Sequence, residues 1–163
     1  MQRALPAVSG SVFVLTDEIL QMGFAAAAAS PRKRIILPVH RSDESVVQRM
    51  LNFMQPGTYI QPHRHPQQHA IETIQVLRGA MDFLVFSPDG DVIQRHRLQS
   101  DSLGLIDIEP GVWHGMVVLE PNTVILEIKR GPYDANADKF FAPWAPPEGR
   151  PEAEAYLTQL TSV

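Results

Sequence analysis

No cysteine occurs in the 163 residues. Disulfides and thiolate metal sites are therefore excluded, and histidine and carboxylate remain as the only strong metal ligands. The absence also fits a reducing compartment, and a cytoplasmic location is expected. No apolar run approaches the roughly 20 residues that span a bilayer, so no membrane contact is expected. Arg3, the apolar residues 12–15 and the alanines at 25–29 have the outline of a signal peptide, but Asp17 and Glu18 interrupt it. Positive charge is also scarce: the net charge is −4, which argues against nucleic acid as a partner. The run Arg32-Lys33-Arg34 is the exception. It reads as a solvated flank, or as a rim that binds an anionic substrate. No helix-turn-helix segment, glycine-rich phosphate loop or serine elbow is present.

What remains is one domain's length of chain, with a core of ordinary size. Residues 16–30 read as a helix. Thr16 suits its N-cap, Asp17 and Glu18 its first turn and the alanine run its body, and Ser30-Pro31 stops it. From residue 46 to 130 the pattern changes to short strands, at 46–54, 58–61, 71–77, 81–86, 92–98, 105–108, 112–119 and 124–129. Turn signals recur every 8–12 residues, including Ser87-Pro-Asp-Gly90 and Glu120-Pro-Asn122. Such a series predicts an all-β sandwich or barrel. Residues 131–163 are proline-rich and carry Phe140, Phe141 and Trp144. These aromatics are costly to expose, so the segment is expected to pack on the barrel. It ends in a short helix over 151–160 with Tyr156, Leu157 and Leu160 as its apolar stripe.

The chemistry concentrates in Gly57-Thr-Tyr-Ile-Gln-Pro-His63-Arg-His65. Residues two apart on a strand share a face, so His63 and His65 point the same way. Neutral imidazole binds Zn, Ni, Fe or Cu, and an added carboxylate extends the set to Mn. His-x-His alone reads equally well as two half-exposed imidazoles beside a turn.

The surrounding spacing resembles the cupin superfamily. In its first motif a Gly and five residues precede His-x-His, and a Glu, six residues and a Gly follow. Gly57, His63, His65, Glu72 and Gly79 match that pattern. Gly104, Pro110, Gly111 and His114 resemble the second motif. The resemblance implies a single-domain jelly-roll barrel. It also implies one divalent ion (Zn, Fe, Ni or Mn) held by His63, His65, Glu72 and His114. Three departures stand out. Six residues, 66–71, separate His65 from Glu72 where three or four are usual. The second motif has Val118 where an Asn often follows, and its Pro-Gly pair is one residue tighter. His69 stands where a shorter spacing would put the carboxylate and is the alternative fourth ligand. Glu72 is favoured because its spacing to Gly79 is intact.

A finer resemblance, to the WbuC-type cupin metalloproteins, rests on Val47-Gln-Arg-Met-Leu51, Gln55-Pro-Gly-Thr-Tyr-Ile60, Pro62-His-Arg-His65, Val76-Leu-Arg-Gly79, Gly111-Val-Trp-His114, Gly131-Pro-Tyr-Asp134 and Asp138-Lys-Phe-Phe-Ala-Pro-Trp-Ala-Pro146. It implies a link to surface-polysaccharide biosynthesis and a sugar or nucleotide sugar as ligand. Open metal positions would suit Lewis-acid catalysis, with Tyr59 or His69 moving a proton. An Fe(II) oxygenase and a non-catalytic ligand sensor use the same ligands. Gln61, Glu127 and Lys129 are candidate substrate contacts if they face the lumen. By alternation with Val124, Leu126 and Ile128, however, Glu127 and Lys129 read first as a solvated face. Trp113 faces away from His114 and reads as core; His40 and His96 receive no role. Cupins commonly pair through sheet edges, so a homodimer is expected.

Overall fold

The computed structural model describes residues 3–134 and 138–162. Helix α1 spans Asp17–Ala29; ten strands follow, then helix α2 at Glu152–Ser162. The strands are β1 Arg34–Pro38, β2 Val47–Met54, β3 His63–Arg64, β4 Glu72–Arg78, β5 Ala80–Phe86, β6 Val92–Gln99, β7 Leu105–Ile108, β8 His114–Val118, β9 Thr123–Arg130 and β10 Phe140–Phe141. They form two antiparallel sheets, ordered β1-β2-β9-β4-β7 and β10-β3-β8-β5-β6.

The inward faces of the sheets make the main core: Met54, Ile74, Val76, Met81, Phe83, Leu98, Ile108, Met116, Val118 and Ile125. The outer faces are covered as well. Helix α1 packs Phe24 and Ala27 against Leu51, Phe53 and Val124 of the first sheet. Gly23 permits this approach, because a Cβ there would lie 2.4 Å from the Phe53 ring. Helix α2 and the preceding loop pack Leu160, Tyr156 and Trp144 against Leu84, Phe86 and Val117 of the second sheet. Strands β5 and β8 are consequently buried on both faces and are almost continuously apolar.

Local signals place α1 well. Thr16 caps it by accepting from the Ile19 amide at 3.4 Å, and Ser30, before Pro31, is extended at φ −75°, ψ 130°. Three strands lie outside the expected set: β1, β10 and the two-residue β3 at His63–Arg64. β1 begins on the last residue of the basic triplet, and five residues are too few for a clear period. It is recognisable only by its pairing with β2 and by the Leu5 amide donating to the Ile36 carbonyl at 2.7 Å. β10 is two residues long and exists only through its partner β3. Residues 58–61 form no strand. The expected solvated flank at 32–34 holds for Lys33, which is exposed, but is corrected at Arg34. Arg34 is buried, donating to Thr58 Oγ1 at 3.0 Å and to the Tyr59 carbonyl at 2.8 Å. No described helix is long and apolar enough to cross a membrane.

Candidate metal centre

Strands β3 and β8 pair so that His63 and His114 are direct register partners. His65 follows two residues after His63, on the same side of the chain. The three imidazoles are buried and offer ring nitrogens within 4.8 Å of one another. Each ring is oriented by its other nitrogen. Nδ1 of His63 donates to the Gln61 carbonyl at 3.0 Å, Nδ1 of His114 to Val112 at 3.0 Å, and Nδ1 of His65 to Asp138 at 2.5 Å. A protonated Nδ1 on a neutral ring leaves Nε2 as a bare lone pair. This is the outer support that metal-ligating histidines characteristically have.

Glu72 opens β4 in the facing sheet. Its Oε2 lies 3.4 Å from Nε2 of both His65 and His114. Those three atoms are buried without a hydrogen-bond partner. An unmet buried polar atom costs roughly 1–3 kcal/mol, and three converging on one point need a shared partner. Ligand atoms about 2.1 Å from a common ion lie roughly 3.0–3.4 Å apart, so a divalent cation fits. Burial, then the charges of Lys139 and His114, hold His63 well below its ordinary pKa and keep it in the ligating form. Burial opposes ionisation of Glu72, but His114 and His65 outweigh it and hold the carboxyl well below its ordinary range.

A cavity of about 650 Å³ opens in front of this cluster, between the sheets. Alternation on β9 sends Ile125, Glu127 and Lys129 into it, while Val124 and Leu126 pack beneath α1. The solvated-face reading of Glu127 and Lys129 is therefore wrong. Both sides of β9 are covered, so polarity could not reveal which side was the lumen. Glu127 accepts from Asn52 Nδ2 at 3.0 Å. Burial and the neighbouring Glu72 charge push its carboxyl up to about 7. Lys129 reaches Asp138 at 2.6 Å; burial lowers its pKa, but Glu127 and Asp138 more than compensate and raise it.

The other candidates fall elsewhere. Gln61 borders the cavity, but its amide donates to the carbonyls of Ala142 and Ala145 at 3.1 Å. Tyr59 is corrected as a catalytic candidate: its hydroxyl donates to the Pro146 carbonyl at 2.8 Å, and its ring packs on Tyr156, away from the cavity. Its pKa is raised, chiefly by burial. His69 is exposed in the turn before β4 and does not face the cluster, so it is neither the proton carrier nor the alternative ligand. Trp113 packs on Phe140 and Trp144 beneath the Arg64 guanidinium. His96 is exposed on β6, and His40 is bound to the Arg49 carbonyl.

Sequence reasoning missed Asn52, Asp138, Lys139 and Phe141. Asn52 had a signal, being polar at an inward position between Met50 and Met54. Asp138 stood in a segment that carries the WbuC-type resemblance, but nothing local gave it a role; it meets His65 only in the folded chain.

The residues after 138 wall the cavity and are fastened at both ends. Asp138 engages His65 and Lys129. Glu148 takes Arg32 Nε and Arg34 Nη2, each at 2.7 Å. Burial opposes ionisation of Glu148, but Arg32 and Arg34 lower its pKa overall. A depressed carboxyl stabilises above the unfolded value of about 4.3 and loses that contribution as pH falls through its folded value. Glu148→Gln should thus lower the melting temperature at pH 7 by roughly 2–4 °C, for about 1 kcal/mol after solvent screening. The gap to wild type should close below pH 4. Parallel melting curves at both pH values would refute the clamp.

Two facing antiparallel sheets with this histidine cluster between them have the cupin fold, and solved structures agree on the fold. The capsular polysaccharide assembling protein CapF from Staphylococcus aureus aligns at TM-score 0.56 and 21% identity, over 65% of this chain and 29% of that one. An oxalate oxidase in complex with glycolate aligns at 0.52 and 13%, over 71% and 58%. KdgF from Halomonas sp. aligns at 0.50 and 17%, over 66% and 86%. The aligned region spans under a third of CapF, and at these identities the likeness concerns the fold. No protein of curated function matches in sequence. The chain belongs to the family described as Domain of unknown function (DUF6016), whose model matches residues 15–98.

Proposed function

We propose that this chain is a WbuC-type cupin that holds one divalent ion through His63, His65, Glu72 and His114 and acts on a sugar or nucleotide sugar in surface-polysaccharide biosynthesis. The carrying observation is the convergence of Nε2 of His65, Nε2 of His114 and Oε2 of Glu72, all buried and unpartnered. The polysaccharide link is supported by the motifs that run through the C-terminal segment and by the CapF fold. A bound ion supplies a Lewis acid for a carbonyl or hydroxyl oxygen. Within the cavity, Glu127 is the carboxyl placed to carry a proton, with Asn52 fixing its orientation.

Protein stripped of metal and reloaded should take up one equivalent of Zn, Fe, Ni or Mn per chain. A screen of sugars and nucleotide sugars followed by NMR should then show metal-dependent conversion. Failure to take up any metal, or loaded protein that converts no sugar, overturns this reading.

A further inference from the structure

Most cations around the cavity are already neutralised. Lys129 is paired with Asp138, and Arg32 and Arg34 with Glu148. Lys139 is different. It lines the cavity and is half-buried, and among the described residues its ammonium has no hydrogen bond or ion pair. It shares the cavity lining with His63 and Glu127, and its charge acts on both. Arg3 lines the outer rim but is exposed, where water screens it. Two aromatic rings flank the opening. Phe141 lies 6.2 Å from His63, Tyr133 lies under Lys129 at 5.6 Å, and both are about half exposed. Apolar faces beside polar groups suit the C–H face of a ring-shaped polyol.

We propose that Lys139 is an anion-recognising subsite and that the ligand is an acidic sugar, bearing a carboxylate or phosphate that Lys139 contacts while its hydroxyls face the histidine cluster. This deepens the function proposed above and rests on it. A partly buried ammonium with no carboxylate in hydrogen-bonding contact has donors left over for an incoming anion.

The test compares glucose, glucuronate and glucose 6-phosphate by calorimetry on zinc-loaded protein. At least one acidic probe should bind about 10-fold tighter than glucose, as one charge-assisted hydrogen bond allows. Which acid wins identifies the anion as carboxylate or phosphate. Lys139→Gln should remove the preference without changing zinc content or glucose binding, and Lys139→Arg should retain it. An acidic preference that survives Lys139→Gln belongs to the metal and overturns the proposal, as does no binding of either acid. If the protein takes up no zinc yet keeps a Lys139-dependent preference, the subsite stands and the metal reading falls. Zinc-loaded protein indifferent to charge gives the reverse.

Discussion

His114→Ala should cut divalent-metal affinity by more than 100-fold. Loss of a ligand's outer partner alone costs about 10–100-fold, and this change removes the ligand. The fold also holds this ligand firmly. The ring is buried, in register with His63, stacked on Phe83 at 5.5 Å and fixed through Nδ1. The readout is the thermal shift on loading. Metal at 1,000 times its Kd stabilises by about 4 kcal/mol, or roughly 10 °C for a chain of this size. Wild type should show that rise and His114→Ala almost none. Without metal the two should melt within a few degrees of each other, because the lost ring borders an existing cavity. His69→Ala should keep the full rise, since that residue is exposed and outside the cluster. A full rise in His114→Ala would show that the ion binds elsewhere.

Phe53→Ala should have the largest effect on stability, about 3–5 kcal/mol and a fall of 10 °C or more in melting temperature. Phe53 has no exposed surface and meets Phe24 edge-on at 6.0 Å. It joins α1 to the outer face of β2, whose inner face presents Asn52 to the cavity. Helix α1 can refill little of the space, because Gly23 already sits against the ring. The loss should be equal in metal-free and metal-loaded protein. That separates it from His114→Ala, which alters only the metal-dependent increment. A drop of under 1 kcal/mol would mean that α1 does not depend on this contact.

These two residues also show where sequence reading succeeds and where it stops. His114 was legible only through its resemblance to the second cupin motif, a pattern that is local in the chain. Most strands, the cap at Thr16 and the end of α1 were legible for the same reason: alternation, capping and proline act within a few residues. Glu127 and Lys129 were misread because alternation separates two faces without saying which encloses the cavity. Tyr59 shares the parity of His63, but no strand forms over 58–61, so its side chain is not carried along with the histidines.

Residue chemistry and spacing by themselves determined an all-β chain with a histidine pair on one face of a strand, and the resemblance to the cupin motifs added a third histidine and a carboxylate suited to a divalent ion. Only the tertiary structure decided that Glu72 rather than His69 meets the histidines, that Glu127 and Lys129 face inward, and that the C-terminal segment supplies Asp138 and Lys139. The physical reason is sequence distance. His65 and Asp138 are 73 residues apart, and no local rule links them until both sheets have closed.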